Sequence, residues 1–199
     1  MSRLQSCATF FLLLLLAPPP SFAQQQFFPS GVFGEKPPLD KGTARWYSSQ
    51  LRALDEPSLW ELSKTESRQS YRLLWLRTWD NPISIRFDVN DDGAGQLVTK
   101  MSNGTGGYDP GELALDRTRQ LTKEQVASLL FKIETAEFWG LPTNKTSGGR
   151  DGARWIIEGV RRGQYHVVDR WSPDSGPVRD VGLYLMHLTD LDIPANKVY

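Results

Sequence analysis

Residues 71–89, YRLLWLRTWDNPISIRFDV, carry the reading of the fold. In the second half Ile83, Ile85, Phe87 and Val89 alternate with Ser84, Arg86 and Asp88. Successive side chains of a strand point to opposite faces, so this alternation predicts a strand with one buried apolar face. The first half, Tyr71 to Trp79, is apolar nearly throughout, as expected of a central strand covered on both faces. Asp80-Asn81-Pro82 turns the chain between them.

Working outward toward the C-terminus, Asn90-Asp91-Asp92-Gly93 predicts a second turn, with a strand to follow near Gln96–Met101. Residues 102–120 hold glycines, Asp109-Pro110 and mixed charges, and read as a long loop. Thr122 and Gln125 have the spacing of a capping box, with Leu121 and Val126 placed as a hydrophobic staple. Val126, Leu129, Leu130 and Ile133 then form a helical stripe, closed by Gly140 and Pro142. Arg154–Val160 and Tyr165–Trp171 predict a hairpin around Arg162-Gly163. Pro177 starts a last helix with Val178, Val181, Leu185 and Leu188 inward.

Toward the N-terminus, residues 44–65 read as a helix in two pieces, restarted at Asp55-Glu56-Pro57 with Pro57 at the first helical position. Residues 24–42 show no periodicity and read as an extended lead-in. The order is helices, three strands, helix, two strands, helix. It predicts one α+β domain over residues 43–199, with helices packed on a mainly antiparallel five-stranded sheet.

Residues 1–23 read as a secretory signal: Arg3, the apolar run Ala8–Ala17, and Ser21-Phe22-Ala23 as a small-x-small cleavage site that leaves Gln24 first. The run is well short of the roughly 20 residues that span a bilayer, and no membrane span is expected after cleavage. Cys7 is the only cysteine and would leave with the signal, so thiol chemistry and internal disulfides are excluded from the mature chain. Lysine plus arginine and aspartate plus glutamate both number 23, and no basic block exceeds Arg161-Arg162, which argues against nucleic acid as a partner. A disulfide-free exported domain fits the bacterial periplasm or exterior better than a eukaryotic secretory route.

The motifs name no reaction and no cofactor. Asp88, Asn90, Asp92 and Gly93 match the first half of a calcium loop, but position 12, normally a bidentate glutamate, is Thr99. A hairpin turn capped by its own Asp and Asn side chains explains the same residues, and no metal is expected. His166 and His187 are the only histidines, and His166 falls on the opposite strand face from Asp169. No serine sits in a G-x-S-x-G elbow. Glycosidase chemistry would need acids among Glu134, Glu137, Asp151, Glu158 and Asp169 to converge. Seven tryptophans are the unusual feature: exposed ones would suit sugar or protein binding, buried ones a core.

If Arg162-Gly163 is a two-residue turn, Trp155, Ile157, Gly159, His166, Val168 and Arg170 share one face of the hairpin. Arg154, Ile156, Glu158, Val160, Tyr165, Val167, Asp169 and Trp171 share the other. Arg154 then lies opposite Trp171 in cation–π range. Arg154, Glu158, Asp169 and Trp171 are the candidate binding patch, together with the glycine-rich loop before them.

Phe138-Trp139-Gly140-Leu141-Pro142, Asp151-Gly152-Ala153-Arg154-Trp155, Glu158-Gly159 and Tyr165–Pro173 give roughly residues 70–199 a pattern that resembles a family of uncharacterised exported bacterial proteins. The resemblance implies export and a single domain, and no activity. The expectation is a periplasmic or secreted, non-catalytic binding or interaction module with an unknown protein or glycan partner. The alternative is a hydrolase acting on envelope or polysaccharide material.

Overall fold

The computed structural model describes residues 25–34, 39–65, 68–145 and 148–199, with the side chains of 39–41 left aside. Residues 1–23, which read as a signal, lie outside the described residues. The chain forms an open antiparallel sheet between two helical layers. Strands β1 (Gln69–Arg77), β2 (Ile83–Val89), β3 (Gly95–Ser102) and β4 (Leu113–Leu121) form a meander, and β5 (Ala153–Arg161) and β6 (Gln164–Trp171) a hairpin. The strand order β4-β3-β2-β1-β5-β6 makes β1 central, paired with β2 on one side and β5 on the other. The fold is α+β as expected, but the sheet has six strands rather than five. The sixth, β4, lies in the stretch that reads as a loop. It is an edge strand with only Leu121 buried, so neither face imposes an apolar period, and its backbone pairing with β3 defines it.

The local signals around α3 (Lys123–Thr135) and α4 (Pro177–His187) appear as read. Thr122 accepts from the Gln125 amide and the Gln125 side chain accepts from the Thr122 amide, the complete capping box. Helix α3 ends before Gly140: Ala136 caps it, Glu137 turns left-handed, and Phe138–Gly140 form a 3-10 turn. Pro177 opens α4. In the hairpin, Arg162 and Gly163 have φ of 49° and 79°, and Arg161 pairs with Gln164, so the predicted two-residue turn and register hold. At the N-terminal side α1 (Leu39–Ala53) starts earlier than the sequence suggests, and α2 (Leu59–Thr65) follows Pro57 instead of beginning with it. The hydroxyl of Ser58 accepts from the Glu61 amide, taking the capping role at the start of α2.

Each sheet face has its own cover. Tyr71, Leu73, Trp75, Ile83, Ile85, Phe87, Trp155, Ile157 and Val168 pack under α3, α4 and Phe138. On the other face Leu74, Leu76, Ile156 and Val167 pack against Tyr47 and Leu51 of α1, Leu54 just after it, and Phe27, Phe28 and Phe33. The segment that reads as an extended lead-in thus supplies three core phenylalanines: local pattern does not reveal burial arranged by contacts distant in sequence. Among the described residues no helix is long and apolar enough to cross a membrane.

Candidate functional site

The four residues of the sequence-derived patch share one sheet face, and the register sets Arg154 opposite Trp171 and Glu158 opposite Val167. They do not share one surface. The Arg154 guanidinium lies 5.0 Å from the Trp171 ring centroid, and its side chain is 26 % exposed. Glu158 is fully buried and Asp169 nearly so, because α1 and α2 cover that part of the sheet. Glu158 takes two donors from Arg72, Nε at 2.9 Å and Nη2 at 2.5 Å, and a third from the Tyr165 hydroxyl at 2.8 Å. Arg72 also reaches Glu56, which accepts from Arg86, and Arg86 in turn pairs with Asp88. Burial would lower the Arg72 pKa, but Glu158 and Glu56 overcome it and hold the guanidinium more firmly protonated than usual. Burial pushes the Glu158 carboxyl up, and Arg72 restrains it. Asp169 is pushed up by burial against the pull of Arg154, and it accepts from the Tyr47 hydroxyl at 2.8 Å. Burial and the neighbouring Asp169 charge keep Tyr47 protonated as the donor. These carboxylates tie the helical layer to the sheet and are closed to any partner of the folded protein.

The acids that glycosidase chemistry would require are dispersed. Glu134 pairs with Arg161 on the α3 side of the sheet, Glu137 is exposed at the end of α3, and Glu158 and Asp169 lie under α1 and α2. His166 packs against Phe138 and Trp139 on the face opposite Glu158 and Asp169, its Nε2 2.9 Å from the Leu141 carbonyl oxygen. Burial lowers its pKa, and because a carbonyl oxygen only accepts, Nε2 carries the hydrogen and donates to it. His187 is exposed on α4. The calcium-like loop is a hairpin turn. Asp88 is engaged by Ser70 and Arg86, Asp92 accepts from the Ala94 amide at 3.0 Å, and Asn90 and Ala94 join through their backbones. Among the described residues no three His, Cys, Asp or Glu side chains gather where they could share a metal ion.

The open chemistry lies at the end of the sheet where β1 leaves for β2. Two loops dock on Thr78–Asp80. From the β3–β4 connection, the amides of Gly106 and Gly107 donate to Asp80 and Thr78 carbonyls at 3.0 and 3.2 Å, and the Trp46 indole donates to Gly106. From the loop before β5, the Gly152 carbonyl accepts from the Thr78 amide and hydroxyl, both at 3.0 Å. A Cβ on Gly152 would lie 2.5 Å from the Trp171 ring, so only glycine brings this loop so close to that indole. On this base stand Trp79 and Tyr108, 61 % and 59 % exposed, with ring centroids 5.2 Å apart and planes 36° apart. The Trp79 indole donates to Asp151 at 3.0 Å, and Asp80 beside it accepts from Lys197 and the Tyr199 hydroxyl. Arg154 and Trp171 continue the surface across Gly152.

In the sequence Trp79 reads as the end of a central strand, and Tyr108 falls in the long loop of residues 102–120. Asp80-Asn81-Pro82 directly after Trp79 is the signal in the sequence that this tryptophan sits at a turn. No family model matches the chain, and no curated protein matches it.

Proposed function

We propose that the chain is an exported, non-catalytic binding module of the periplasm or cell exterior, and that its ligand surface is the sheet end formed by Trp79, Tyr108, Asp151, Arg154 and Trp171. One observation carries the site: two large aromatic rings stand together, each about six-tenths exposed, on loops pinned to the central strand. Folding ordinarily withdraws such rings from water, and Trp, Tyr and Arg are the side chains that concentrate binding energy at recognition surfaces. Pinning matters as well, since rings already held in place lose little freedom on binding. The absence of catalysis is inferred from the carboxylates, which are dispersed or consumed in buried ion pairs. Export is inferred from residues 1–23, which read as a secretory signal.

The test compares the exported protein with a Trp79→Ala/Tyr108→Ala variant in capture of material from a cell-envelope fraction. The reading expects material retained by the wild type and lost by the variant, with unchanged circular dichroism and thermal melts. Equal retention by the two proteins, or none by either, overturns it. N-terminal sequencing of the exported protein should start at Gln24, and a start at Met1 would remove the export assignment.

A further inference from the structure

We infer that the ligand of this surface is a neutral glycan, with a pyranose ring seated on Trp79 or Tyr108 and its hydroxyl groups directed to Asp151 and the Tyr108 hydroxyl. This deepens the binding-module reading and rests on it. A pyranose has two kinds of surface. Its ring face presents C–H groups with slight positive charge, and its rim presents hydroxyl groups that need acceptors and donors. An aromatic ring presents a negative face, so it matches the C–H face, while polar groups must stand at the ring edge to meet the rim.

The sheet end has that composition. The Trp79 indole nitrogen donates to Asp151 Oδ1 at 3.0 Å, which fixes a carboxylate at the edge of the open ring. Among the described residues no hydrogen bond reaches the other Asp151 oxygen or the Tyr108 hydroxyl, so the carboxylate oxygen can accept from sugar hydroxyls and the phenol can accept or donate. The neighbouring Asp80 is already committed to Lys197 and Tyr199. Asp151 is the acceptor at the two rings, and Arg154, the cation of this surface, is engaged by the Trp171 ring and Asp169, so a neutral sugar fits the rings better than an anionic one.

A protein partner fits less well. A stable protein interface buries roughly 800 Å² on each side around an apolar centre. Here the two rings meet each other and Asp151, a polar edge beside two rings rather than an apolar centre of that size. The larger apolar groove, about 780 Å³ between α3 and α4 and lined by Phe131, Leu183 and Tyr184, has nothing beside it to indicate what would cover it.

Titration calorimetry of the exported protein with cellohexaose, chitohexaose and maltohexaose tests the inference. At least one should bind. Trp79→Ala should weaken that binding about tenfold or more, and Asp151→Asn by a smaller factor, with the thermal melt preserved. Tyr108→Ala guards against a folding artefact, since this side chain makes no hydrogen bond that holds the loop, and it should weaken binding by several fold. No heat with any of the three sugars at millimolar concentration, or binding unchanged in both ring variants, overturns the glycan assignment. If the sugars fail while envelope capture still depends on the two rings, the glycan is wrong and the binding module stands. If capture is also indifferent to the rings, both fall.

Discussion

The two faces of the sheet are built from the same strands and differ in chemistry. Under α3 and α4, odd-numbered positions of β1 supply Tyr71, Leu73 and Trp75, matched across the register by Phe87, Ile85 and Ile83 and by Gly159, Ile157 and Trp155. Under α1 and α2, the even positions supply Ser70, Arg72 and Leu74, matched by Asp88, Arg86 and Ser84 and by Val160, Glu158 and Ile156. Both faces are buried. The first is filled by shape, with the Trp75 and Trp155 ring centroids 5.7 Å apart. The second sets beside its apolar cluster a chain of charges, Glu158 to Arg72 to Glu56 to Arg86 to Asp88, in which each carboxylate has a guanidinium partner. The lesson is that period-2 alternation reports which residues share a face, while the covering layer decides whether the polar face meets water.

This contrast is most sharply broken at Arg72. Arg72→Met would leave Glu158 and half of the Glu56 pairing without a cation in a closed interior, and removing one partner of a buried pair costs about 3–5 kcal/mol. Chemical denaturation should show a loss of that order, and a variant within about 1 kcal/mol of wild type would mean that water reaches the network. The double variant Arg72→Met/Glu158→Leu should recover much of the loss, since the stranded charge goes with its partner.

On the shape-filled face the matching lesion adds volume. A Cβ at Gly159 would meet the Phe138 ring at 2.6 Å and the Tyr71 ring at 2.8 Å, both in the core. Gly159→Ala should therefore cost about 1–3 kcal/mol through overpacking, read as a lowered Tm. An unchanged Tm would show that Phe138 and its 3-10 turn can retreat freely.

A smaller effect separates the faces by pH. The folded pKa of His166 is depressed, by burial first, so the unfolded chain binds a proton near the ordinary value of about 6.5 while the folded chain resists it. Its contribution to stability is complete above that value and is lost as pH falls toward the depressed folded pKa. Between pH 7.5 and pH 5 the wild type should lose more Tm than His166→Gln, which has no such proton to take up. Parallel losses would remove His166 from the pH response.

The smallest expected effect is calcium. Asp88 faces the charge-filled side and is held by Arg86 and Ser70, away from the turn that Asp92 caps. Thermal melts in calcium and in chelator should coincide, and a rise of several degrees with calcium would require the turn to rearrange.

Much of this architecture was determined by sequence acting locally. The alternation of Ile83–Val89, the Thr122/Gln125 capping box, the Arg162-Gly163 turn with its register, and Pro177 at the start of α4 each depend on a few neighbouring residues, and each is found where it reads. What needed the tertiary structure was every feature whose partner lies far along the chain. Strand β4 exists because β3 offers it an edge, and with both of its faces open it leaves no hydrophobic period to read. Glu158 and Asp169 read as surface residues because nothing in their own strands shows that α1, α2 and Phe27 to Phe33 close over them. Trp79 and Tyr108 read as core and loop, and they become a paired surface only through loops that meet on Thr78 from residues 106 and 152. Periodicity is set by the geometry of one strand or helix, whereas burial and convergence are set by what packs against it.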